Sequence, residues 1–204
     1  MEMTKPFVDA VVLMLVLFNP LLMSAYLHDV MKKLSLADFT KVISRSFLIS
    51  GSVFCFFAWA GDRFFSNILQ VRFAAFLIFG GIVFLVIGIR AIVFGVQMIG
   101  ELRGDPAHLA GAIAMPFLIG PGTISASVLA GSKLPVGLAW LSIVVALLAS
   151  CLMLIATKRI FDYLQGHSEE LLQRYMEAVG RASALVIGTI AVEMILKGID
   201  LWQS

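Results

Sequence analysis

Long apolar runs alternate with short charged or turn-forming clusters along the whole chain. Most are close to the ~20 residues that an α-helix needs to cross bilayer hydrocarbon. The pattern predicts six spans: about Phe7 to Leu27, Ser46 to Gly61, Phe73 to Phe94, Ala107 to Ala130, Val136 to Thr157 and Ala182 to Trp202. Loop 1, about His28 to Arg45, carries Asp29, Lys32, Lys33, Asp38 and Lys41. Leu34, Leu36 and Phe39 are scattered among these charges, a pattern for a short interfacial helix. Loop 2 holds Asp62, Arg63 and Arg72, and loop 3 holds Glu101, Arg103, Asp105 and Pro106. Loop 4 is minimal, Gly131 to Pro135. Loop 5, Lys158 to Arg181, is the most polar region and suits an amphipathic helix around Leu164, Leu171, Leu172 and Tyr175.

The fourth run departs from the rest. Between Gly111 and Ser125 it carries Pro116, Pro121, Gly120 and Gly122. Each proline lacks an N–H and clashes with the carbonyl four residues back, at Ala112 and Phe117. Gly120 and Gly122 each cost about 1 kcal/mol more than alanine inside a helix. An interrupted helix is expected, and in lipid its freed backbone groups must be satisfied by protein, water or a ligand. The first run has a matching flaw at Asn19-Pro20. Asn19-Pro20-Leu-Leu-Met-Ser24-Ala25 and Gly120-Pro121-Gly-Thr-Ile-Ser125-Ala126 share Pro-x-x-x-Ser-Ala at a constant offset, Pro20 to Pro121. Three spans separate the copies, so the fourth span crosses opposite to the first. The expected fold is an all-α membrane protein of six transmembrane helices. They form two inverted three-helix repeats, about residues 1–100 and 101–204 of a single polytopic domain, with helices 1 and 4 interrupted near the midplane. Chance similarity of small residues is the alternative.

Composition agrees. Of 204 residues, 60% are hydrophobic and 14% charged, with mean hydropathy +0.99; a soluble domain carries about 25% charged residues. The net charge of +2 and the lack of a basic cluster give no reason to expect a nucleic-acid partner. Cys55 and Cys151 lie in apolar runs with no metal or disulfide spacing, and His28, His108 and His167 form no cluster, so neither metal nor other cofactor is expected. The first run contains Asn19-Pro20 and shows no convincing cleavage site, so it is read as a mature span. Loops 1, 3 and 5 with their flanks hold most of the Lys and Arg, which places them in the cytoplasm and both termini outside.

Phe18-Asn19-Pro20, Ala114-Met115-Pro116 through Gly120-Pro121-Gly122-Thr123-Ile124, and Gly188 through Glu193 to Gly198 together resemble the MarC/SnatA family of prokaryotic inner-membrane proteins. Arg72 to Gly88, with the Gly80-Gly81 pair, adds a weaker match. The resemblance covers essentially the whole chain. It implies a six-helix transporter of small neutral amino acids such as alanine and glycine, unwound in spans 1 and 4. The chain departs from the family pattern at Leu21-Leu22, where some members have glycine, and at Glu193, where an amide is usual.

A zwitterion needs donors for its carboxylate and acceptors for its ammonium. The free N–H groups at a half-helix start suit the first, and the carbonyls of Val16 and Phe117, orphaned by the prolines, suit the second. The candidate substrate site therefore lies between Asn19, Pro20 and Gly120, Pro121, Gly122, Thr123, with Ser24 and Ser125 adding hydroxyls. The bland alternative is a pair of kinked, packed helices whose Ser and Thr bond back to their own backbones. Glu193, deep in span 6, is a candidate for proton or ion coupling; Lys197, four residues on, is a ready partner instead. No enzymatic activity is expected. The expected partners are the lipid bilayer, a small zwitterionic amino acid, a coupling proton or sodium ion, and a second copy of the chain. An intramembrane thiol–disulfide carrier using Cys55 and Cys151, and a passive channel, are the rival functions.

Overall fold

The computed structural model describes residues 4–61, 63–94, 110, 111, 113, 114, 118–164 and 169–203. Among these the chain is helical almost throughout. Helix α1 spans Thr4–Phe18, α2 Pro20–Tyr26, α3 His28–Lys33, α4 Leu36–Ala60, α5 Phe73–Phe94, α6 Pro121–Lys133, α7 Val136–Leu164 and α8 Glu169–Gln203. A π-turn, Phe64–Ile68, joins α4 to the approach of α5. Among the described residues five segments are long and apolar enough to cross a membrane: Thr4–Tyr26, Leu36–Ala60, Phe73–Val93, Val136–Tyr163 and Ala178–Gln203.

The third span coincides with its expected bounds. The second does not: α4 begins at Leu36, so the expected loop from His28 to Arg45 shrinks to Leu34–Ser35, with α3 before it. Ser35 is the reason. Its hydroxyl accepts from the Asp38 N–H (3.1 Å) and donates to the Asp38 carboxylate (2.7 Å), which nucleates the helix early. Lys41 and Arg45 lie on its exposed side, while Phe39, Val42 and Ile43 are buried. The fifth loop contracts likewise, because α7 runs on to Leu164 and α8 starts at Glu169. The side chains of Leu164, Leu171, Leu172 and Tyr175 fall outside the described residues, as do loop 3, Pro116 and the Phe117 carbonyl. Helix α6 ends at Lys133, leaving Leu134 and Pro135 as the fourth connection.

The helices pack as two groups. In the first, α1, α4, α6 and α7 enclose a core of Met14, Phe18, Phe39, Phe54, Ile143, Leu154 and Phe161. Phe18 stacks on Phe54 at 5.5 Å between centroids. Gly131 of α6 lies on the Ala58 carbonyl of α4, where a side chain would not fit. The Ser46 hydroxyl bridges the Val42 and Ala110 carbonyls (2.9 Å each), tying α4 to the stretch before α6.

The second group is the α5–α8 pair. A Cβ on Gly81 would sit 2.7 Å from the Ala191 carbonyl oxygen, and one on Gly198 would sit 2.9 Å from that of Ala74. One on Gly88 would sit 3.2 Å from the Ala184 oxygen. As the α5 number rises its partner's falls, so the pair is antiparallel. Small residues let the backbones approach where lipid gives no hydrophobic drive to associate. The two groups meet through the helix breaks: α2 packs on α8, and α6 packs on α5.

Candidate functional site

The first break is made by Asn19 and Pro20. Asn19 adopts the left-handed conformation (φ 40°, ψ 68°), which asparagine tolerates better than most residues. Its side-chain carbonyl accepts from the Leu22 N–H at 3.2 Å and so caps α2, with Pro20 at the first helical position. Pro20 has no N–H to offer the Val16 carbonyl. Across the break Asn19 N–H still reaches the Leu15 carbonyl (3.0 Å) and Met23 N–H the Asn19 carbonyl (2.9 Å). The segment is thus kinked and locally opened, not unravelled.

The second break is deeper. Before it the Ile119 N–H is bonded to the Ala114 carbonyl five residues back (2.8 Å). Gly120 is fully extended (φ −127°, ψ 167°), and α6 restarts at Pro121. Thr123 holds the geometry. Its hydroxyl oxygen accepts from Gly120 N–H (3.0 Å) and lies 2.8 Å from the Leu118 and 2.9 Å from the Gly120 carbonyl oxygens. Gly120 has no side chain with which to cap α6, so the N–H groups of Gly122 and Thr123 have no partner within the helix.

Both breaks rest on the α5–α8 pair, the first on α8 and the second mainly on α5. The Ser183 hydroxyl of α8 lies 3.5 Å from the Asn19 side-chain oxygen. Gly120 and Gly122 face the Phe84 ring of α5, Gly122 also faces the Met194 sulfur of α8, and Pro121 abuts Gly80. Gly88 meets Ala184, next to Ser183, and Phe84 lies one turn from Gly88. Along α8 the contacts of the two breaks, Ser183 and Met194, stand eleven residues or ~16 Å apart, and along α5 Gly88 and Gly80 stand eight residues or ~12 Å apart, so the breaks are separated by ~12–16 Å along the pair.

Of the expected site residues, Asn19, Pro20, Gly120, Pro121, Gly122 and Thr123 shape the two breaks. Three hydroxyls are committed to backbone: Ser24 donates to Leu21 (2.6 Å), Ser125 to Pro121 (2.7 Å), and Thr123 as above. Ser183, Phe84 and Met194 carry no mark in the sequence, since nothing local singles out a residue that contacts a break more than 30 positions away. Glu193 pairs with Lys197 at 3.1 Å, both more than half exposed. That pair lines a partly open cavity of about 900 Å³, bounded by α1, α5, α6 and α8 and reaching Gly122 and Ser125. At the other end of the molecule Lys158, almost fully buried, pairs with Asp162 on α7, and His28 stands edge-on to Phe161.

No curated protein and no solved structure matches the chain. Residues 4–202 match the profile described as MarC family integral membrane protein. With that match spanning nearly its whole length, the chain belongs to the MarC family of integral membrane proteins.

Proposed function

We propose that the chain is a secondary transporter of small neutral amino acids, alanine or glycine in type, working by alternating access around a site between the two helix breaks. It acts as a carrier and not as an enzyme. On this reading the stretch from Ala107 to Ala130 is the sixth crossing, and six spans form two inverted repeats in the plasma membrane. Loops 1, 3 and 5 face the cytoplasm.

The observation that carries the proposal is the exchange of partners between the breaks. Asn19–Pro20 leans on α8 and Gly120–Pro121 on α5, the third span of each half serving the other half's break. In the same sense α1 packs on α7 and α6 on α4. A pseudo-two-fold axis in the membrane plane generates such reciprocity, and interrupted helices at corresponding positions mark transporter sites. The N–H groups of Gly122 and Thr123, without a partner inside α6, stand at its positive end and suit a carboxylate. The Val16 carbonyl, denied a donor by Pro20, suits an ammonium. Glu193 is the candidate coupling group, held in this state by Lys197.

Uptake of labelled alanine into proteoliposomes tests the proposal. The wild type should accumulate alanine, and Gly122→Leu and Thr123→Val should abolish uptake. Undiminished uptake by both variants would place the site elsewhere.

A further inference from the structure

We infer that the cavity between α1 and the α5–α8 pair is a recognition vestibule for zwitterionic amino acids with sizeable apolar side chains, in which Glu193 takes the ammonium and Lys197 the carboxylate. The inference presupposes the amino-acid carrier proposed above and extends its substrate class beyond alanine and glycine.

Depth comes first. The Arg72 guanidinium lies 4.6 Å over the Trp202 ring, where α5 begins and α8 ends. Such amphipathic rings mark the membrane interface. Glu193 lies nine residues further in along α8, ~13 Å at 1.5 Å per residue, close to the middle of a ~30 Å hydrocarbon layer. Gly122 faces Met194, the next residue, so the second break and Glu193 share one level. The cavity thus runs from the interface, at Asp200 and Leu201, down to the break.

Charge comes second. Glu193, Lys197 and Asp200 recur at helical spacing on one face of α8, and all three line the cavity. Charged groups at this depth are costly against acyl chains, so the cavity must hold water or a polar solute. The Glu193–Lys197 pair itself selects the solute. Opening the pair strands one anion and one cation. A zwitterion replaces both lost contacts with charge-assisted hydrogen bonds, carboxylate to Lys197 and ammonium to Glu193. A solute with only one charge can replace only one and leaves the other group unpaired. Asp200, one turn beyond Lys197, biases the outer end toward attracting the ammonium.

Size and lining come third. Leu13, Leu17, Leu77 and Met194 provide an apolar wall opposite and beside the charges. A cavity of about 900 Å³ is at the upper end of the ~300–1,000 Å³ range of small-molecule sites. Glycine or alanine would leave most of it to water, whereas a leucine- or methionine-sized side chain would cover the apolar wall.

The test is equilibrium binding to the purified full-length protein in nanodiscs. The probes are L-leucine, glycine, 4-methylpentanoate (leucine without its ammonium) and 3-methylbutylamine (leucine without its carboxylate). Leucine should bind about tenfold or more tighter than each of the other three, a gap of ~1.4 kcal/mol. Glu193→Gln should erase the preference for leucine over 4-methylpentanoate, and Lys197→Met the preference over 3-methylbutylamine. This mirrored pattern cannot arise from a general loss of folding, and unliganded unfolding temperatures near wild type would check that. Preferences unchanged in both variants, or leucine no tighter than its one-charge analogues, would overturn the inference. So would leucine binding lost when phosphatidylethanolamine replaces phosphatidylglycerol in the disc, which would assign the charges to a zwitterionic lipid headgroup. Alanine uptake is measured in parallel. Uptake without leucine binding sinks only this inference, and leucine binding in the mirrored pattern without uptake sinks only the carrier.

Discussion

Replacing Gly81 by alanine tests whether the α5–α8 pair is held at backbone contact. The added Cβ would stand 2.6 Å from Ile195 Cγ1, 2.7 Å from the Ala191 carbonyl oxygen and 3.1 Å from Ile195 N. Ordinary contacts begin at 3.4 Å. Ile195 Cγ1 sits on the branched Cβ, whose rotation within a helix is restricted, and the carbonyl and amide belong to the α8 backbone and cannot turn away. The helices must separate locally by roughly 0.7 Å, and overpacking of this kind costs about 1–3 kcal/mol. Alanine returns up to ~1 kcal/mol in helix propensity, leaving a net loss of up to about 2 kcal/mol. For a chain of this size each kcal/mol shifts the unfolding temperature by ~2–4 °C, so Gly81→Ala should unfold below wild type, by up to about 8 °C. Gly188→Ala is the control. A Cβ there meets nothing within 4 Å, so its unfolding temperature should hold or rise. Unfolding in detergent can be followed with a thiol-reactive dye that reports the half-buried Cys55 and Cys151. Gly81→Ala at or above wild type, or Gly188→Ala falling equally, would refute the close-packed pair.

Thr123→Val should destabilise the protein by the cost of leaving the buried Gly120 N–H and Leu118 carbonyl unpaired, ~1–3 kcal/mol for each group, while Thr123→Ser should retain wild-type stability; equal unfolding temperatures for the two variants would contradict the hydroxyl's role. Asp162→Ala strands the Lys158 ammonium, which is only 3% exposed. Because Asp162 is itself 38% exposed, the loss should fall below the ~3–5 kcal/mol of a fully buried pair. The double variant Lys158→Met/Asp162→Leu should recover most of it in the same unfolding assay, and no loss from Asp162→Ala alone would show that the pair is idle.

Among the described residues five spans and both breaks were legible because their causes are local. Phe73 to Phe94 is apolar apart from Arg90 near one end, and its bounds follow from that. Pro20 and Pro121 remove donors wherever they sit, so both breaks could be placed from the chain alone. The Glu193–Lys197 pair follows from spacing on one helix. What escaped depends on neighbours or on weak local rules. Ser35 overrides a charged stretch and starts α4 early, because Lys41 and Arg45 fit the solvated side of the same helix. Lys158 reads as a surface residue until α7 buries it. Ser24, Thr123 and Ser125 bond back to their own backbones, the alternative already visible in the sequence, as Ser and Thr hydroxyls near a helix start commonly do. Phe84, Ser183 and Met194 form the walls of the breaks only through tertiary contact.

Thr123 also gives the second break a degree of freedom that no backbone motion supplies. Its hydroxyl has one proton and faces two carbonyls at nearly equal distance, Leu118 and Gly120. Gly120 already receives the Ile124 N–H (3.0 Å), whereas Leu118 is fully buried. Rotation about a single C–O bond therefore switches the Leu118 oxygen between occupied and vacant with every heavy atom in place. The break behaves as a rotor with two settings, able to present or withdraw an acceptor faster than any helix can move.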